Sequence, residues 1–429
     1  MNKMGFYHSH FRRIFRFSFS VTFILVFFIL TACETPKSRM RKRMKSVENG
    51  LLKAVVFKGM EPEKARLNER MQFYKVPGVS VAVIYKNHID WANAYGFKEF
   101  GLAEPVTTES LFQAGALSQP VAALVALHFV EKGHLALDSD VNTVLLDLEG
   151  GFAVLQQLLV DLERKAFPAI AEETVLQPIG MKNSTFVSSL PTPLKEKAVS
   201  GHLPGGEPVE GKWLRYPVAA ASGLWSTPSD LALFAVEVVR TARGESQKVV
   251  SPALAQAMLT PEEEIHCLGL YIEGEGDDLF FHMRGDNTGY ACFMVGYPVR
   301  GEGAVIMTNS DNGAHLIDEI VRGISAVYEW PHFQPEVKAL YRLDSSVYSQ
   351  YVGRYEISPD YVLNVTHEDY YMIITPTGQA PTKFYSQGLT VFFSEDPYIV
   401  IRFEKDGEGR VTGLILTQRG QSQKAKKIE

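Results

Sequence analysis

Strand-like runs near residue 80, a long helical interior and further strands beyond residue 268 follow one another along this chain, and that order limits its fold. Val79-Ser80-Val81-Ala82-Val83-Ile84-Tyr85 reads as a buried strand, with Asp90 to Gly96 as its hairpin partner. Gly50 to Tyr74 before it carries Leu51, Leu52, Val55, Val56, Leu67 and Met71 at recurring positions and reads as a helix. Ser118 or a neighbour opens an apolar helix over Val121 to Lys132 that Gly133 stops. Leu137 to Asp140 is a turn, and helices follow over Phe152 to Leu162 and Phe167 to Leu176. Thr227 or Ser229 caps another over Leu231 to Arg240. Strands are predicted at Leu268 to Ile272, Phe280 to His282, Ala291 to Tyr297 and Ala304 to Thr308, before a closing helix over Ala314 to Tyr328. The pattern is α+β: an antiparallel sheet flanked by helices, plus a helical region. Beyond Pro335 the texture changes. Residues 345–429 are short strands broken by turns and read as a separate small all-β barrel or sandwich.

With 429 residues, 46% of them apolar and 21% charged, the chain is long and apolar enough for two or three cores. Its formal charge is −6, and an acidic body argues against a nucleic-acid partner. No zinc-type Cys/His spacing, Walker loop or G-x-G-x-x-G occurs, so neither a metal nor a cofactor is expected.

The N-terminus points to a place in the cell. Arg12, Arg13 and Arg16 precede a largely apolar run, Phe17 to Leu30, which ends in Leu30-Thr31-Ala32-Cys33. This resembles a bacterial lipoprotein signal, residues 1–32, with Cys33 as the lipidated first residue of the mature chain. A transmembrane anchor is the other reading, against which stand the short run and the polar segment that follows at once. Glu34, in place of the aspartate associated with inner-membrane retention in enteric bacteria, points to the outer membrane and a periplasmic body. Residues 33–50 then form a lipid anchor and basic tether, Lys37 to Lys45 (KSRMRKRMK). It reads as a solvated linker drawn weakly to anionic headgroups, each cation contributing about 1 kcal/mol near such a surface. Cys267 and Cys292 remain in strand-like segments; a disulfide between them and two separate buried thiols are both open.

Five stretches carry a family resemblance: VPGVSVAVI (76–84), ESLFQAGALSQPVAALVALHFVEKGHLALDSDVN (109–142), LQPIGMKNSTF (176–186), YPVAAASGLWSTPSDLALFAVEV (216–238) and GYACFMVGYPVRGEGAVIMTNSDNG (289–313). Residues 51–335 hold a domain that resembles the class C β-lactamase, penicillin-binding-protein and esterase superfamily. The module around YVGRYEISPDYVLNVTHED (351–369) resembles the β-domain often fused behind such hydrolases. The resemblance implies an S-x-x-K serine and lysine, a Y-x-N tyrosine, and a K-T-G or H-x-G strand around one pocket, with an oxyanion hole of backbone N–H groups. Here Ala116 stands for the serine and Gln119 for the lysine. The Y-x-N segment reads as deleted between Asn142 and Gly151, with Asp147 nearest the tyrosine's place. The third motif is partly kept in His282-Met283-Arg284-Gly285, with Arg284 or a one-residue shift of register left open.

A methyl group cannot attack a carbonyl, and removing a hydrolase nucleophile costs on the order of 10⁶ in rate. The leading expectation is therefore a lipid-anchored pseudoenzyme. Its remnant cleft, with Ala116, Ser118, Gln119, His282, Arg284 and Gly285 as candidate lining, would bind a peptidoglycan-like peptide, a small carboxylate or a protein partner. Two alternatives stand beside it. One is an active hydrolase with a relocated serine (Ser118, Ser222 or Ser226) and His282 as base. The other is a structural lipoprotein whose aromatic-rich C-terminal module does the work. Tyr216 reads as scaffold, and Arg284-Gly285-Asp286 as a chance tripeptide.

Overall fold

The computed structural model describes residues 35–136, 151–261, 265–395, 398–418 and 421–429. The chain divides into two compact units, residues 1–46 and 47–429. The described part of the first belongs to helix α1 (Pro36–Glu48). Proline at the first helical position and a run of Lys, Arg and Met, all good helix formers, account for it. The basic tether, expected as a linker, is helical. Among the described residues no helix is long and apolar enough to cross a membrane.

The second unit is built round a seven-stranded antiparallel sheet of β1 (Gly78–Tyr85), β2 (His88–Gly96), β3 (His266–Cys267), β4 (Leu270–Glu273), β5 (Phe280–Asn287), β6 (Tyr290–Tyr297) and β7 (Glu302–Thr308). Their spatial order is β2-β1-β7-β6-β5-β4-β3. Lys86 and Asn87 join β1 to β2 with φ of 54° and 59°, the paired left-handed conformation that suits a two-residue hairpin. Before the sheet, Gly50 to Tyr74 is not the one helix expected. Only α2 (Leu67–Tyr74) is helical, and Leu51–Leu52, Val55–Phe57 and Lys64–Ala65 are short strands. The β-branched pair Val55-Val56 and the breakers Gly59 and Pro62 favour that outcome.

The interior helices are α3 (Ser118–Glu131), α4 (Gly151–Glu163) and α5 (Phe167–Ala171), which runs on through a π turn over Glu172–Leu176. Helix α6 (Pro228–Ala242) is capped as expected, Thr227 Oγ1 accepting from the N–H of Asp230 at 3.2 Å. Helix α7 (Gly313–Tyr328) closes the body. The sheet is covered on both faces. Ala82, Ile84, Cys292, Met294, Val305 and Met307 share one core with Leu231, Phe234 and Val238 of α6. Their neighbours Val79, Val81, Val83, Phe293, Val295 and Ile306 are buried on the opposite face, where α7 packs on β6 and β7. That period of two decides the site's chemistry below.

His202 ties two loops together. Its Nδ1–H donates to the Asn309 carbonyl at 2.9 Å, and Nε2 accepts from the N–H of Phe100 at 3.3 Å, which fixes the neutral tautomer. Burial holds its pKa below the ordinary 6.5. The unfolded chain therefore takes up this proton first. The stabilisation is whole above the ordinary value and declines as pH falls through it toward the folded one, by at most about 1.4 kcal/mol per pH unit. Urea midpoints between pH 8 and pH 5 are expected to fall less steeply in His202→Asn than in the parent chain.

The C-terminal module is a closed eight-stranded antiparallel barrel: β8 (Gly353–Ser358), β9 (Tyr361–Glu368), β10 (Tyr371–Pro376), β11 (Thr382–Ser386), β12 (Val391–Glu395), β13 (Tyr398–Lys405), β14 (Val411–Gln418) and β15 (Gln421–Lys427). Pairing of Tyr355 with Lys427 closes it. Its interior is filled. Tyr351 stacks on Phe403 at 4.3 Å, and the hydroxyls of Tyr348, Tyr351 and Tyr355 donate to the carbonyls of Tyr370, Leu389 and Tyr351. These aromatics are core. The barrel is anchored to the body through Lys338, whose strand pairs with Val55–Phe57. Its ammonium lies 2.9 Å from Glu336 and over the rings of Phe393 and Tyr398.

Candidate functional site

A single turn of 3₁₀ helix, Gly115–Leu117, leads into α3. Between Leu111 and Val125 every residue is buried except Ala116 and Gln119, which are half-exposed. Three residues apart at a helix start, they share one face and mark where the fold opens. Strand β5 lies flush against the turn. A Cβ on Gly285 would run into the carbonyl oxygen of Ala114 and sit 3.0 Å from the Leu117 nitrogen. A Cβ on Gly115, whose φ is 54°, would sit 2.6 Å from the Asp286 nitrogen. The turn between β3 and β4 closes on the same helix start, with Gly269 packed against Gln119 and Pro120.

Two of the expected lining residues face elsewhere. Along β5, Phe281, Met283, Gly285 and Asn287 are buried on the side of Ala116, while His282 and Arg284 alternate to the other. Arg284 pairs with Asp318 of α7 at 2.5 Å and covers the Phe293 ring at 4.7 Å. His282 Nε2 lies 2.8 Å from Glu273 Oε1, its ring stacked on Tyr271 and Phe280. Burial lowers its pKa, and the Glu273 contact opposes that. It is thus a neutral imidazole on the wrong face to serve as a base for the cleft. Gly285 fits the motif's glycine, and counting back two residues puts Met283, not His282, at the motif's first position.

An amide network that the sequence reading missed supports the opening. Asn287 donates Nδ2–H to Gln113 Oε1 and to the Ser222 carbonyl, both at 3.1 Å. Gln113 in turn donates to the Leu214 carbonyl at 2.8 Å. Carbonyls only accept, so both amide orientations are fixed. The phenol of Tyr216 accepts from the N–H of Thr288 at 3.0 Å and holds the β5–β6 turn, in keeping with the scaffold role expected for it.

The serines proposed as relocated nucleophiles are engaged or lack a base. Ser118 is fully buried; its Oγ donates to the Gly115 carbonyl at 2.6 Å and accepts from the N–H of Leu224 at 3.0 Å. Ser226, equally buried, bonds Ser184 at 2.8 Å in a group that ends on Asp230. Ser222 is half-buried, at the end of the four-residue helix Ala219–Ser222, and among the described residues no histidine or lysine bonds its hydroxyl. Cys267 and Cys292 are thiols and not a disulfide. Strands β5 and β4 intervene between β6, which carries Cys292, and β3, which carries Cys267, three strand spacings or roughly 14 Å, too far for an S–S bond. Cys292 is buried against the Gln113 carbonyl, with its pKa raised by burial; Cys267 Sγ lies within 3.2 Å of the carbonyls of Ala257, Met258 and Thr260. Cys33 and Asp147 lie outside the described residues, as do the expected Leu137 to Asp140 turn and the shortened segment 143–150.

Elsewhere a surface cavity of about 450 Å³ is lined by Lys98, Glu99, Glu104, Ser200 and Lys212 among others. Its charges are largely paired with one another, Lys98 with Glu104 at 3.3 Å and Lys212 with Glu99 at 3.6 Å.

The family profile described as Beta-lactamase matches residues 64–152 and 148–325, well over half of the chain. This chain belongs to the beta-lactamase family. The two matched segments overlap at residues 148–152. No curated protein matches. Among solved structures the chain is similar to "SurE", with 18% identity, a TM-score of 0.54, and coverage of 84% of this chain and 97% of that one. It is also similar to the octameric penicillin-binding protein homologue from Pyrococcus abyssi, at 16% identity and a TM-score of 0.54, covering 84% and 98%. A third likeness is to D-alanine carboxypeptidase AmpC from Burkholderia cenocepacia, at 15% identity and a TM-score of 0.50, covering 59% and 96%. At such identities these likenesses speak to fold. They support the β-lactamase-like body read from the sequence.

Proposed function

We propose that this beta-lactamase-family chain is a non-catalytic binding protein, held in the bacterial envelope by lipid on Cys33, whose cleft at Ala116 takes a peptide-like ligand. The observation that carries the reading is the pair Ala116 and Gln119. They alone open the start of α3, at the places where the family's S-x-x-K chemistry would put a nucleophile and its base. Three further findings support it: Ser118 and Ser226 are locked in structural hydrogen bonds, Ser222 lacks a base, and His282 serves the opposite face. The solved relatives named for D-alanine carboxypeptidase activity, or with D-Leu bound, suggest peptides carrying D-amino acids as first ligands to try.

The test is intact-mass analysis of the signal-less protein after exposure to a fluorescent penicillin and a fluorophosphonate. No adduct is expected with either. An adduct mapping to Ser222 would instead favour the relocated hydrolase. The anchoring is tested separately: Cys33→Ser is expected to abolish incorporation of labelled palmitate and to leave the protein unprocessed. Six cations between Lys37 and Lys45 on α1 would then act as a second, weaker hold on anionic headgroups.

A further inference from the structure

We infer that the cleft recognises an uncharged amide, a peptide bond or a carboxamide, in preference to a terminal carboxylate. The inference rests on the reading of this opening as a binding site and names its ligand's chemistry. Binding a carboxylate in a partly dry cleft calls for a cation or several converging N–H donors. Both residues that the sequence offered for this, the Arg284 cation and the His282 imidazole, stand on the far face with partners of their own. The position of matching parity holds the thioether of Met283, packed in the core.

Two neutral amides stand here, Asn287 on the Ala116 side of β5 and Gln119 at the start of α3. Asn287 spends both N–H bonds on Gln113 and Ser222, leaving Oδ1 without a hydrogen bond among the described residues. An acceptor there repels a carboxylate and attracts an N–H. Gln119 is half-exposed, and neither end of its amide bonds a described residue, so it offers one donor group and one acceptor. A ligand amide, with its own C=O and N–H, satisfies both ends; a carboxylate satisfies only the donor. Two of the stretches outside the described residues, 137–150 and 262–264, are acidic. Residues 137–150 bring Asp138, Asp140, Asp147 and Glu149 and no lysine, arginine or histidine, and 262–264 are all glutamate. Arg215 is an exposed cation beside Tyr216, whose phenol holds the β5–β6 turn.

The experiment is calorimetric titration of the full mature chain with N-acetyl-D-alanyl-D-alanine and with its C-terminal carboxamide, at low and moderate salt. The carboxamide is expected to bind at least tenfold more tightly. Gln119→Lys, a change at a half-exposed position, is expected to narrow or invert that ratio, and Arg215→Ala to leave it unchanged. Equal or tighter binding of the free acid by the parent chain overturns the inference, and its loss in Arg215→Ala would name the cation responsible. If neither compound binds, the proposed binding function fails together with the inference. If both bind and only the preference is wrong, the binding function stands.

Discussion

Gly285→Ala is expected to cost the body about 3 kcal/mol or more and to lower its thermal midpoint by several degrees, an effect at or above the upper end for adding one carbon to a packed interior. The new methyl would enter the carbonyl oxygen of Ala114 and crowd Leu117 and Ala114 backbone atoms at 3.0 and 3.1 Å. Neither wall can yield as a side chain does. One is the turn that positions Ala116, and the other is a strand paired along its length with β6, Gly285 itself opposite Cys292. Gly407→Ala is the control. Its Cβ would meet nothing within 4 Å, and losing glycine's freedom in the unfolded chain is neutral to stabilising. Differential scanning calorimetry of the two variants separates them. A Gly285→Ala protein as stable as the control would falsify the close approach of β5 to the nucleophile turn, and with it the geometry assigned to the cleft.

The elements of the body were legible where one period dominates. The run Val79 to Tyr85 is buried at nearly every position because both faces of β1 are covered, and continuous hydrophobicity is the mark of such a strand. Gly133 ends α3 with a φ of 71°, as a C-terminal glycine does. Failures came where tertiary packing overrode local pattern. Leu51, Leu52, Val55 and Val56 recur with helical spacing, yet they pair as short strands, Val55–Phe57 with Glu336–Lys338 ahead of the barrel. That partner lies 281 residues away (336 against 55) and leaves no local trace.

The site was half legible. Ala116 and Gln119 were found because absence of a serine and a lysine is a statement about residue type, which sequence gives directly. The third motif was open by one residue of register, and in a strand one residue reverses the face. Counting back by two from Gly285, the glycine that the close approach demands, gives Met283; His282 drew attention only because histidine is reactive. Gln113 and Asn287 carried no signal. They are 174 residues apart and become a pair only when β5 meets the start of α3.

A last test restores what is missing. Ala116→Ser alone is expected to give no penicillin adduct, because a serine hydroxyl without a base is a poor nucleophile at neutral pH. Ala116→Ser combined with Gln119→Lys is expected to acylate slowly and stoichiometrically, seen as a single mass increment on the intact chain. The two side chains share a face, the glycines at 115 and 285 keep strand and turn in contact, and the Ala116 N–H remains for an oxyanion. The tyrosine expected by family resemblance is still lacking. Proton transfer by a placed side chain is worth about 10²–10⁴ in rate, so acylation by the double variant should trail an intact relative by roughly that factor and deacylation should be slower still. A folded double variant with no adduct at all would mean that Ala116 and Gln119 do not occupy a preserved nucleophile geometry. An adduct that forms and stays would mean that this chain kept the pocket of a hydrolase and lost only the atoms that react.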